Sequence, residues 1–275
     1  MTAQVSTGSV WFDVLADTTG DAGGVPIPRS LRVGACHLDD EPALLAAVVP
    51  DPDARFPRAR TGEVGIDEGW AIAQMIRRII RQDHGRPRPR AIVVVVDVPG
   101  QAYGYVEELA GLHQSLAASV HAVASARSFG HPVVALVAGK AMSGGFLAIG
   151  LQANRIVLLD HDGVAIQVMS KPSAARITHR SLEELDATAR IVPATAYDAA
   201  SFASLGAVHS TVVVCRPARP DPGDIARVRS ALSEAVHAAR QGPSDLRCRL
   251  ESPQARTNRA LSIQVRDLVA DAWNA

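Results

Sequence analysis

The hexapeptide Ala91-Ile92-Val93-Val94-Val95-Val96 constrains this chain more than any other segment, because it is apolar at every position. A strand with one wet face alternates apolar and polar residues, whereas a strand apolar on both faces needs cover on both, as in a parallel sheet sandwiched by helices. The flanking residues supply that cover. From Trp70 to Asp83, the apolar Ile72, Met75, Ile76, Ile79 and Ile80 share one side of a helical repeat, with Arg77, Arg78 and Arg81 on the others, which predicts an amphipathic helix. Beyond the strand, Leu109, Leu112, Leu116, Val120 and Val123 recur at steps of three and four and predict a second, longer helix.

The alternation continues in both directions. Ala43 to Val49 is an apolar run closed by Pro50-Asp51-Pro52-Asp53, a buried strand with its turn. Downstream come a strand over Pro132 to Ala138, a glycine-rich turn, a short helix over Phe146 to Gly150, and strands over Arg155 to Leu159 and Val164 to Val168. Helical signals at Ser181 to Arg190 and Asp198 to Leu205 precede a strand at Thr211 to Val214. A Pro-rich linker then leads to a helix over Asp224 to Arg240, and an amphipathic segment covers Ala260 to Trp273. Such a rhythm predicts an α/β fold. The expected organisation is one domain over 31–240, a peripheral arm over 1–30 anchored by Trp11 and Phe12, and a C-terminal helical tail over 241–275.

Composition removes whole classes of function. Among 275 residues, 28 basic groups balance 28 acidic ones with no basic block, which argues against nucleic acid or an anionic membrane as the main partner. Lys140 and Lys171 are the only lysines, so Lys140 stands out inside a glycine-rich segment. Cys36, Cys215 and Cys248 are scattered and form no CxxC pair, the usage of reduced thiols in a cytoplasmic protein. Met1 to Val10 lacks the features of a secretory signal, and the apolar runs fall far short of the roughly 20 residues that span a bilayer. The histidines form no H-E-x-x-H or H-x-H pair and no zinc spacing is present, so no metal site is expected; His113 and His121 read as surface or satisfied side chains.

Chemistry is expected where glycine follows a buried strand, since ligands of open α/β sheets sit at the carboxyl ends of strands. Two segments qualify: Val96-Asp97-Val98-Pro99-Gly100-Gln101-Ala102-Tyr103-Gly104, and Gly139-Lys140-Ala141-Met142-Ser143-Gly144-Gly145 ahead of the Phe146 helix. A helix N-terminus presents unpartnered N–H groups at its positive end, and glycine there lets an oxyanion come close. Tight packing of the turn explains Gly144-Gly145 equally well. Neither segment is a phosphate cradle, because Lys140 precedes its glycine pair and is followed by Ala141, and no G-x-G-x-x-G occurs. Ser143 has the place of a nucleophile at a tight turn, with His131, His161, Asp160 and Asp162 as partners nearest in sequence, but no partner motif; a helix N-cap is the competing role.

These residues also carry a resemblance. Asp97-Val98-Pro99-Gly100, Gly104, Glu107-Glu108 and Lys140 to Phe146 are similar to the two oxyanion loops in the C-terminal half of acyl-CoA carboxyltransferases, members of the crotonase superfamily. More narrowly, Phe56 to Gly65, Val98 to Gly104, Gly130 to Phe146, Ser173 to Arg176 and Ser181 to Leu185 resemble the gamma subunits of biotin-independent malonate decarboxylases, over most of residues 44–210. The resemblance implies an α/β, crotonase-like (ClpP/crotonase superfamily) ββα superhelix in a single domain. It implies a subunit that acts with a crotonase-like beta subunit to convert a malonyl thioester on an acyl carrier protein into the acetyl thioester and carbon dioxide.

By the same resemblance, Gly144 and Gly145 supply one set of backbone donors and Gly100 with Gln101 the other, while Ser143, Tyr103 and Arg176 contact substrate. No cofactor is tightly held; the thioester rides on the CoA-derived prosthetic group of the carrier protein. The implied partners are the beta subunit, the acyl carrier protein and an acyl-carrier-protein transferase subunit. Arg58, Arg60 and Arg176 suit an anion bidentately or an ordinary ion pair. Three rival functions use the same residues: one half of a biotin-dependent carboxyltransferase, a ClpP-like serine hydrolase built on Ser143, and a purely structural subunit.

Overall fold

A computed structural model describes residues 6–20 and 26–274. In chain order the elements are α1 (Thr7–Leu15), β1 (Thr18–Thr19), β2 (Leu31–Leu38), β3 (Glu41–Val48), α2 (Ile66–Gln82), β4 (Ala91–Val98), α3 (Tyr105–Leu109), α4 (Leu112–Ser128), β5 (Val133–Met142) and α5 (Ser143–Ala148). They continue with β6 (Arg155–Asp160), β7 (Ala165–Gln167), α6 (Lys171–Thr178), α7 (Leu182–Ile191), α8 (Ala199–Ser204), β8 (Ser210–Val213), α9 (Pro222–Gln241), α10 (Pro253–Asn258) and α11 (Ala260–Asn274). The strands form one mixed sheet in the order β1-β2-β3-β4-β5-β6-β8, with β7 paired to the far end of β5. β1, β2 and β3 pair antiparallel, and the pairs from β3 to β8 are parallel.

The all-apolar run of β4 is accounted for residue by residue. Ile92, Val94 and Val96 point into one core with Ile72, Met75 and Ile76 of α2 and Ala122 and Val123 of α4. Val93 and Val95 point into a second core with Trp11 and Phe12 of α1 and Val228, Leu232 and Val236 of α9. Each such side chain contributes about 1.5–3 kcal/mol of burial. The two faces of one strand therefore hold the two helical layers together.

Trp11 and Phe12 are fully buried, so the peripheral position expected for residues 1–30 does not describe α1, which is one of the covering helices. Residues 1–5 and 21–25 of that segment lie outside the described ones. Other boundaries moved for local reasons. α2 begins a turn earlier than the apolar periodicity suggests, because the Glu68 carboxylate accepts the Gly65 N–H (2.9 Å) and closes its N-terminus, while Gly69 lets α4 pack closely enough for Ser119 Oγ to donate to its carbonyl (2.8 Å). The long helix expected from Leu109 is broken into α3 and α4 at Gly111, whose φ of 86° is left-handed. β5 runs on to Met142, through residues expected to form a turn.

Candidate active site

The two glycine segments meet at the carboxyl ends of the adjacent parallel strands β4 and β5. Their register shifts at Asp97, so that Val98 pairs with Ala141. The Asp97 side chain fixes the junction, accepting the N–H of Lys140 in β5 (2.9 Å) and the N–H of Gly8 in the first turn of α1 (3.0 Å). Gly139 has no room for a side chain because the Asp97 carboxylate occupies the place its Cβ would take. An acid inside an otherwise apolar strand was the sequence signal for this role.

After β4 the chain is held flat against Val64. The Gly100 carbonyl accepts the Val64 N–H (3.1 Å), and the Ala102 N–H donates to the Val64 carbonyl (2.8 Å). Among the described residues no acceptor takes the N–H of Gly100 or of Gln101. Across from them, α5 starts at Ser143, so Ser143, Gly144 and Gly145 form its first turn, whose N–H groups lack intrahelical partners. Gly144 and Gly145 thus lie within the helix rather than ahead of one starting at Phe146. A Cβ on Gly145 would meet the Gly100 carbonyl oxygen, with the Gly100 carbonyl carbon and Val64 Cγ2 each at 3.1 Å, and one on Gly144 would meet Gln101 Oε1. The two loops are in van der Waals contact, and the glycines permit it.

Ser143 is not a side-chain cap. The cap position belongs to Met142, without a side-chain bond, and Ser143 has a left-handed φ of 57°, a strained conformation for a residue with a Cβ. Nor do the histidines serve it. His131 Nδ1 faces the Arg90 carbonyl (2.9 Å) and His161 Nε2 faces the Ala138 carbonyl (3.0 Å), and among the described residues no histidine hydrogen-bonds Ser143. A charge-relay triad is therefore not assembled among the described residues.

A second group flanks the Gly100 loop. The Arg58 guanidinium lies 3.7 Å from the centroid of the Tyr103 ring and donates to Glu63 Oε1 (3.2 Å), whose other oxygen accepts from Thr61 Oγ1. Glu63 is buried, and its Cγ is 3.6 Å from where a Gly100 Cβ would be. Glu63 was not singled out by sequence, although the stretch containing it was. Arg60 turns away and donates to the Ala54 carbonyl (3.0 Å). Arg176, on the exposed face of α6, has no hydrogen bond or ion pair joining it to either glycine loop. Among the described residues no cluster of three or more His, Cys, Asp or Glu side chains is placed to hold a metal ion.

Solved structures with this architecture define its class. The transcarboxylase 12S core, at 19% identity and a TM-score of 0.60 over 84% of this chain and 41% of that one, shares the fold. A chain of a Pseudomonas malonate decarboxylase hetero-tetramer in complex with coenzyme A is 47% identical, with a TM-score of 0.89 over 98% of this chain and 100% of that one. A chain of the Pseudomonas malonate decarboxylase MdcD-MdcE hetero-dimer is 45% identical, with a TM-score of 0.86 over 98% and 99%.

Residues 59–273 match the malonate decarboxylase gamma subunit family, and the chain belongs to that family. Among curated relatives, the malonyl-S-ACP:biotin-protein carboxyltransferase MADD of Malonomonas rubra is 35% identical over 184 residues, which are 66% of this chain. The acetyl-coenzyme A carboxylase carboxyl transferase subunit alpha of Cereibacter sphaeroides is 26% identical over 211 residues, 77% of this chain. The matches span 63% and 60% of the lengths of those two relatives.

Proposed function

We propose that this chain is the gamma half of a decarboxylase that takes a malonyl thioester on an acyl carrier protein to the acetyl thioester and carbon dioxide. The observation that carries this reading is the meeting of two unpartnered sets of N–H groups, Gly100 with Gln101 and the first turn of α5, at neighbouring strand ends. When the carbon–carboxylate bond breaks, its electron pair forms an enolate, and a proton from solvent or the partner then completes the acetyl group. Fixed N–H donors lower that barrier without any acid or base of this chain, and one donor contributes about 2.7–4 kcal/mol. Gly144, Gly145, Gly100 and Gln101 are assigned to the oxyanion, and Ser143, Tyr103 and Arg176 to substrate contact. Arg176 reaches substrate in this reading only with a shift of α6 or in the assembled complex.

The remainder of the site comes from a crotonase-like beta subunit, with the thioester delivered on the CoA-derived arm of the carrier protein and loaded by a transferase subunit. The hetero-dimeric and hetero-tetrameric malonate decarboxylases support this assembly. Residues 31–240, with α1 packed beneath their sheet, are read as the carboxyltransferase-type domain and 241–275 as a tail. A cytoplasmic site of action fits three unpaired thiols and, among the described residues, no helix long and apolar enough to cross a membrane. The likeness to MADD favours a second reading, transfer of the carboxyl group to a biotin carrier.

The test is carbon dioxide release from malonyl-loaded carrier protein by this chain co-expressed with a beta subunit, with and without a biotinylated acceptor and excess avidin. Avidin-insensitive release without the acceptor is expected. Release that requires the acceptor selects the second reading, and full activity of this chain alone overturns the two-subunit site.

A further inference from the structure

A cavity of about 570 Å³ lies between the end of α5, α8 and the segment joining α9 to α11, and none of its lining residues belongs to either glycine loop. Arg247, Arg249, Arg259 and Arg266 line it against a single carboxylate, Asp245. That carboxylate is already taken: Arg247 binds it through Nε (2.8 Å) and Nη2 (2.7 Å). Among the described residues the other three guanidinium groups pair with no acid.

Arg249 makes the imbalance costly, because it is only 8% exposed. Its Nη2 donates to the Ala153 carbonyl (2.6 Å), while its Nε and that of Arg259 are buried with no acceptor. Burial first, against an opposing pull from Cys248 and with the charges of Arg127, Arg259 and Arg155, pushes the Arg249 pKa down to about 10. Arg127 and Arg155 relieve nothing, since their acceptors are main-chain carbonyls and the Cys248 sulfur. Buried charge is normally paired. Here the cations converge on an open volume of the size small ligands occupy, about 300–1,000 Å³.

We propose that this cavity binds an organic phosphate. A phosphate monoester offers three terminal oxygens to guanidinium forks, enough for Arg249, Arg259 and Arg266 together. Leu151, Phe202 and Leu250 form an apolar wall that takes the organic group. The wall is joined to the candidate active site through the edge-to-face contact of Phe202 with Phe146 of α5, at 6.0 Å between centroids.

The test is calorimetric titration of the full chain with inorganic phosphate, phenyl phosphate and malonate at ionic strength held constant with sodium chloride. Phenyl phosphate is expected to bind saturably and at least about tenfold tighter than inorganic phosphate, because its ring is removed from water. Arg266→Gln, on the exposed face of α11, and Arg259→Gln are each expected to weaken it by about tenfold or more, the worth of one charge-assisted hydrogen bond. Circular dichroism of the unliganded variants controls for folding, and Arg266→Gln keeps the test open if Arg259→Gln fails to fold. Equal affinity for phosphate and phenyl phosphate, malonate binding as tightly as phenyl phosphate, or an Arg266→Gln variant indistinguishable from the parent overturns the proposal.

Discussion

A methyl group would meet very different surroundings at Gly100 and at Gly145, although the two residues touch. At Gly100 the nearest atoms are Glu63 Cγ at 3.6 Å and Ser143 Cβ at 3.9 Å, ordinary contact distances, so Gly100→Ala fits the fold. At Gly145 the methyl would press on the Gly100 carbonyl, which is main chain and cannot swing aside. Gly100→Ala is therefore the cleaner probe of an oxyanion: decarboxylation should fall by about 10² or more while the melting temperature is unchanged. Gly145→Ala should lower both, because it separates the loops. A fully active Gly100→Ala would show that no ligand oxygen approaches there. Ser143 gives a third test. With no histidine hydrogen-bonded to it among the described residues, Ser143→Ala should keep the rate to within about tenfold, or about 1.4 kcal/mol. A trapped acyl adduct on Ser143 would reverse that assignment.

At the scale of elements, α2 and β4 are stapled at one end. Asp83, the C-cap residue of α2, has a fully buried side chain that accepts from the Arg90 N–H (2.9 Å), Nε (2.9 Å) and Nη2 (2.7 Å), just ahead of β4. Burial raises its pKa, but the Arg90 bonds outweigh that and hold it below the ordinary 3.8. The stability this gives is present at neutral pH and is lost as pH falls through the range below 3.8. Asp83→Asn should cost about 3 kcal/mol at pH 7, measured by urea denaturation, because it strips the partner from a mostly buried guanidinium. His131, packed beneath on the Arg90 carbonyl, responds in milder acid. Burial holds its pKa below 6.5 despite that hydrogen bond and the nearby Asp83, so the unfolded chain takes up the proton first. Its contribution is complete above pH 6.5 and fades as pH drops below it, and His131→Asn should flatten the fall in melting temperature between pH 6.5 and the acid limb.

The core elements were legible because periodicity reports burial, and β4, β5, α2 and α9 are buried along whole faces. What escaped had no such signature. β2 alternates imperfectly, α6 buries no side chain, and the break at Gly111 sits inside a continuing apolar repeat. The glycine loops were legible as a pair, since both follow strands. The Arg58, Glu63 and Tyr103 group was not, because it depends on the loop after β3 folding back onto the loop after β4.

For the molecule as a whole, the surface beside the candidate site carries large apolar side chains in the open. Tyr105, Val106 and Leu109 of α3 are 82%, 63% and 73% exposed, and they adjoin the Gly100 to Gly104 loop. Contiguous apolar exposure of this kind marks an interaction surface. Assembly with a beta subunit should bury more than about 2,000 Å² in total if the complex is obligate. Val106→Asp should leave the circular dichroism spectrum and melting temperature of this chain unchanged while abolishing co-elution with a co-expressed beta subunit. Normal co-elution would place the interface elsewhere.

The linkage from Gly8 through Asp97 to Lys140 also decides where a working fragment can begin. A boundary drawn at residue 31, just after the 1–30 segment that reads as a peripheral arm, would remove Trp11 and Phe12 from beneath the sheet. It would also take away one of the two N–H groups that orient the Asp97 carboxylate, three residues before Gly100. The side chain would then be free to rotate off Lys140, and the strand ends that set the spacing of the two loops would lose their common anchor. The shortest fragment that keeps the loops in place starts no later than Ser6, whose hydroxyl accepts the Ser9 N–H and closes the first turn of α1.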